Sequence, residues 1–109
     1  MKEIIEKITK FRDDRDWKQF HTPKNIASAI SIEAAELNEI FLWKKDEESF
    51  NVNKEKVSEE LADVLIYSLL MLDTFNLDFN EIIDKKIKKN TTNYPVKKSK
   101  GTAKKYNEL

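Results

Sequence analysis

Apolar residues recur at three- and four-residue spacings along most of this chain, and that period predicts helices. Ile4, Ile5, Ile8 and Phe11, separated by Lys, Glu and Arg, place an amphipathic helix over residues 2 to about 13. The period breaks between Asp13 and His21, a polar and aromatic stretch that reads as a connection with some local helix. Thr22-Pro23 then offers an N-cap residue followed by a proline at the first helical position, where its missing N–H costs nothing.

The second helix carries Ile26, Ile30, Leu37, Ile40 and Phe41, with small residues such as Ala27 and Ala34 allowing close approach of a neighbour. It is expected to end near Trp43 or Lys44. The charged run Lys44 to Asn53 reads as a loop with one short turn around Glu48 to Phe50. A third helix begins near Lys54, and the apolar arc through Val57, Leu61, Val64, Leu65, Leu69 and Leu72 makes it the most buried element. Asp78 to Glu81 has capping-box spacing, and Ile82, Ile83 and Ile87 carry a fourth helix to about Asn90. Pro95 closes it. Residues 96–109 are lysine-rich without a core pattern, so the expected organisation is one helical domain over 1–95 and a basic tail that orders only on contact.

Composition narrows the class. A chain of 109 residues with one glycine and two prolines suits a single all-α domain, a four-helix bundle. Zero formal charge argues against the basic face that backbone-driven nucleic-acid binding needs, so no nucleic-acid partner is expected. No cysteine is present, which removes disulfides and thiolate metal sites. No apolar run approaches the roughly 20 residues that span a bilayer, so the expectation is no membrane partner and a cytoplasmic location.

Two acidic pairs stand out against this background: Glu33 with Glu36, and Glu60 with Asp63. Each pair is three residues apart and shares a helix face. Either pair alone reads more simply as solvated surface. Yet Glu36 lies between Ala35 and Leu37, and Asp63 between Ala62 and Val64, so both pairs border the apolar stripe. Two such helices packed antiparallel would bring four carboxylates to one point, the all-oxygen setting preferred by Mg²⁺ or Mn²⁺.

The order Glu-x-x-Glu, an intervening gap, then Glu-x-x-Asp resembles the MazG-like all-α nucleotide pyrophosphohydrolases. Flanking residues are similar to the dCTP pyrophosphatase branch: Phe11-Arg12-Asp13, Trp17, Gln19-Phe20-His21, Pro23, Asn25, Trp43, the run Glu59 to Tyr67, Lys86, Asn90 and Tyr94-Pro95. The chain departs from many relatives at Ile32, where an acidic residue is common, and at Thr91-Thr92-Asn93, where basic residues are common.

The resemblance implies hydrolysis of a deoxynucleoside triphosphate, dCTP or a modified dCTP, to the monophosphate and pyrophosphate, cleaning the nucleotide pool. It implies Mg²⁺, with Mn²⁺ as the alternative, on Glu33, Glu36, Glu60 and Asp63, with Glu36 and Glu33 in catalysis and Glu36 the first choice of base. It further implies substrate contacts from Trp17, His21, Trp43, Lys86, Asn90 and Tyr94, and a homodimer or homotetramer. Tyr67, one turn after Asp63, faces the same way as the ligands and reads either as a sugar or phosphate contact or as core. Without the resemblance, Trp17 and Trp43 read as core, His21 as a boundary residue and Lys86 with Asn90 as plain surface. Two alternatives stay open: a dUTP-preferring or broad nucleotidase, and a helical interaction module whose carboxylates are solvated.

Overall fold

The computed structural model describes residues 1–109. It is all-helical: α1 (Lys2–Asp14), α2 (Pro23–Glu39), α3 (Lys54–Thr74), α4 (Phe79–Asn93) and the single turn α5 (Val96–Ser99), with 3₁₀ segments at Lys18–Phe20, Asp46–Asn51 and Tyr106–Glu108. Four of the helices are long, as the periodicity predicts; the short turns are additional. No helix is long and apolar enough to cross a membrane. The chain forms two compact units, Met1–Asn76 and Leu77–Leu109.

In the first unit α3 packs against both α1 and α2. The core is Ile26 from α2 with Leu69, Leu70 and Leu72 from the second half of α3. Burying an isoleucine completely contributes about 1.5–3 kcal/mol. The first half of α3 is more open, with Leu61 and Leu65 exposed. Capping follows the sequence closely: the Thr22 hydroxyl accepts from the Asn25 N–H at 3.2 Å, and the Asn53 side chain accepts from the Lys56 N–H at 3.1 Å. Arg12, a charged residue, is buried. Its guanidinium donates to Asp13 at 2.8 Å and across to Asp73 on α3 at 3.3 Å, tying α1 to α3.

Several boundaries differ from expectation. Helix α2 stops at Glu39, short of Trp43, because the following N–H groups of Ile40, Phe41 and Leu42 bond back only three residues. The chain then turns through Trp43 at φ 65°, a left-handed conformation that no helix continues. The segment expected as loop holds the 3₁₀ run Asp46–Asn51, started by the Lys45 N–H donating to the Glu48 carboxylate at 3.5 Å.

In the second unit α4 starts where its capping spacing predicts, with the Asp78 carboxylate accepting from the Glu81 N–H at 2.9 Å. It runs to Asn93 rather than Asn90. Thr91 and Thr92 donate their hydroxyls to the carbonyls four residues back, those of Ile87 and Lys88. After Pro95 the chain forms α5, and Tyr106 meets Tyr94 edge-on with ring centroids 6.0 Å apart.

Candidate metal centre and adjoining cavities

The packing of α2 on α3 brings the acidic pairs together. One carboxylate oxygen from each of Glu33, Glu36 and Glu60 lies within 4.8 Å of the others. Asp63 stands outside this trio, close enough for its charge to act on Glu36 and Glu60. Carboxylates at this distance repel, and the protonation of Glu36 and Glu60 reports it. The Glu36 carboxyl is raised above its ordinary value, first by pairing with Glu33, with charge from Glu33 and Asp63 adding and the Glu60 pairing opposing. Glu60 is raised as well, chiefly by desolvation, then by Glu36.

One oxygen each of Glu33 and Glu60, both Oε2, is buried without a hydrogen-bond partner. A buried carboxylate oxygen left unpaired is costly, and a cation at the centre of the trio satisfies both oxygens at once. The donor set is all oxygen, which suits a hard divalent cation and excludes the nitrogen and sulfur sites typical of zinc. The residues present therefore fit such an ion.

Glu36 and Glu60 also line an open cavity of about 770 Å³, whose wall continues through Lys44, Asn51, Asn53 and Lys56. Sequence reasoning gave the two lysines no role. For Lys56 the signal was available, since it precedes Glu60 by four residues and so shares its face. For Lys44 it was not, because its position depends on the left-handed turn at Trp43.

A second cavity of about 220 Å³ lies between α1, the segment before α2, and α3. Trp17, His21, Asp63 and Tyr67 line it together with Arg12 and apolar residues of α1 and α3. The His21 and Tyr67 rings meet edge-on at 6.2 Å, and Trp17 meets Phe11 edge-on at 5.7 Å. Burial lowers the His21 imidazole from its ordinary value, and the Arg12 charge lowers it further, so the ring is held neutral. Its Nδ1 is buried without a partner.

Of the residues singled out in the sequence, Trp17, His21, Asp63 and Tyr67 thus converge on one cavity, and Glu33, Glu36 and Glu60 on one point. Trp43 joins neither group; it is 92% exposed. Lys86 and Asn90 are exposed side chains of α4 in the second unit, and Tyr94 is half-buried against Tyr106.

The MazG-like family matches residues 28–109. The chain is similar to dCTP pyrophosphatase 1 of Mus musculus, 38% identical over 104 residues, which cover 91% of this chain and 61% of that protein. The Homo sapiens protein of the same name is 35% identical over 104 residues, again with 61% of its length covered. The chain therefore spans about three fifths of the length of these curated relatives. The crystal structure of a pyrophosphatase from Archaeoglobus fulgidus is similar over 87% of this chain and 92% of that one, with a TM-score of 0.84 and 45% identity.

Proposed function

Because the chain belongs to the MazG-like family, we propose that it hydrolyses a nucleoside triphosphate to the monophosphate and pyrophosphate, with Mg²⁺, or Mn²⁺ in its place, held by Glu33, Glu36 and Glu60. The observation that carries this reading is the carboxylate trio with its two unpaired buried oxygens. Asp63, whose charge acts on the same centre, completes the ligand set. When bound, the cation supplies charge neutralisation for the triphosphate and Lewis acidity toward water.

The chain's own residues supply the rest. Water adds through its oxygen to the α-phosphorus, the bond from that phosphorus to the α–β bridging oxygen breaks, and pyrophosphate leaves with the electron pair. The proton that water gives up passes to a carboxylate. Glu36 is the proposed base, with Glu33 beside it in the trio.

The 220 Å³ cavity is the proposed nucleobase site. Trp17 supplies an aromatic surface for stacking, which contributes roughly 1–3 kcal/mol and discriminates little between bases. Selection falls to polar groups, and the neutral His21 with its unpartnered Nδ1 is such a group. Tyr67 packs on His21 and holds the ring in place. Cytosine is the proposed base, on the names of the relatives. For Lys86, Asn90 and Tyr94 the substrate role rests on the resemblance of their segment alone.

The proposed assembly is a homodimer or homotetramer. Trp43 and Phe50 are 92% and 89% exposed, and Leu42 and Ile32 are also exposed, an apolar load that a second copy of the chain would cover. A panel of nucleoside triphosphates assayed for pyrophosphate release with Mg²⁺ tests the reading. The expected result is turnover with dCTP or a modified dCTP as the best substrate; turnover favouring dUTP would move the assignment to another base, and none at all would refute it.

A further inference from the structure

A charge count around the acidic trio exposes a deficit. The trio with Asp63 and one divalent cation leave two negative charges, while a nucleoside triphosphate arrives with roughly four more, most of them on the two phosphates that leave. Positive charge has to come from the protein. The cavity that opens from Glu36 and Glu60 contains it: Lys56, one turn before Glu60 on α3, and Lys44, on the connection from α2. Neither lysine is tied up in an ion pair, since the chain's ion pairs are Lys10 with Asp14 and Arg12 with Asp13 and Asp73.

Two further features favour an anion here. Asn53, the N-cap of α3, and Lys56 in its first turn both line the cavity, so the partial positive charge of a 21-residue helix opens on it. Moreover, the turn that presents Lys44 passes through Trp43 at φ 65°, a conformation unfavourable for a bulky side chain, held where it aims the following residue at the cavity.

We propose that Lys56 and Lys44 bind the two phosphates that leave as pyrophosphate, making the cavity beside the carboxylate trio a pyrophosphate subsite. This rests on the triphosphate-hydrolase reading above. The subsite explains how a site built of carboxylates admits a polyanion, and it requires that a monophosphate bind without the help of these lysines.

The test compares the wild-type chain with Lys56→Ala, Lys44→Ala, the double variant and Lys56→Arg. With Mg²⁺ and dCTP, KM and the inhibition constant of added pyrophosphate should each rise about tenfold per lysine removed, while inhibition by dCMP stays unchanged and Lys56→Arg retains most of the effect. Unaltered pyrophosphate inhibition in the double variant overturns the proposal, as does equal weakening of pyrophosphate and dCMP. Calorimetric titration of Mg²⁺-pyrophosphate into the wild type and the double variant separates this proposal from the functional reading. Tight binding lost in the double variant supports the subsite even where no triphosphate is turned over, and equal binding by both refutes it even where turnover is found.

Discussion

Replacing Arg12 with methionine keeps most of the packed stem and removes the guanidinium that links α1 to α3. Two effects compete. Taking a cation out of water is expensive, and exchanging a buried ion pair for apolar side chains can be neutral or stabilising. Against this, Arg12 holds its proton more tightly than usual, chiefly through its hydrogen bond to Asp13, so its favourable contacts outweigh its desolvation. The partner carboxylates are 54% and 37% exposed, so they rehydrate when the arginine is lost. Hydrogen bonds to charged groups contribute about 1.5–3 kcal/mol when buried and less than about 1 kcal/mol at the surface, which puts the loss of Arg12 near 1–3 kcal/mol. For a domain of this size that lowers Tm by roughly 5–20 °C.

The pH dependence gives an independent check. Arg12 holds the Asp13 carboxyl below its ordinary value, so the stabilisation is present above that ordinary value and disappears as pH falls through the lowered one. The Tm gap between wild type and Arg12→Met should therefore be widest near neutrality and close in strong acid. Thermal melts followed by circular dichroism over that range measure it. An equal or higher Tm for Arg12→Met at neutral pH would refute the reasoning and show that desolvation wins. The same substitution removes a charge that lowers His21, so the imidazole should titrate at higher pH by NMR.

Other substitutions probe the remaining parts. Ile26→Ala, at a fully buried position between α2 and α3, should cost about 2–5 kcal/mol by denaturant unfolding. Glu36→Gln should stabilise the metal-free chain near neutral pH and much less at low pH. Glu36 and Glu60 have raised carboxyls, so what they contribute to folding is present below their ordinary values and is lost as pH rises through the raised ones. A gap that does not widen with pH would contradict the geometry of the trio. Trp17→Ala should raise KM for dCTP about 5- to 150-fold, the equivalent of one lost stacking partner, while leaving the Mg²⁺-induced rise in Tm intact.

Much of this was legible in the sequence, and the reasons are local. Period located all four long helices, and capping marked the starts of α2 and α4, because Thr22 and Asp78 act within three residues of themselves. The convergence of Glu33, Glu36 and Glu60 followed from three-residue spacing on two helices that pack together. Arg12 was visible only as part of a resembling motif, since its partner Asp73 lies 61 residues away. The end of α2 and the placing of Lys44 depend on a left-handed tryptophan, which propensity does not anticipate. The expectation that Trp43 shares a pocket with Trp17 and His21 is not met within one chain, where Trp43 points to solvent.

The central claim is that the carboxylate trio supports hydrolysis between the α and β phosphates, and isotope placement tests it most directly. With Mg²⁺ and dCTP in ¹⁸O-labelled water, the account predicts one labelled oxygen in dCMP, unlabelled pyrophosphate, and no turnover with excess chelator or in Glu36→Gln and Glu60→Gln variants that still fold. Release of inorganic phosphate as the first product, or full activity in chelator, would contradict it.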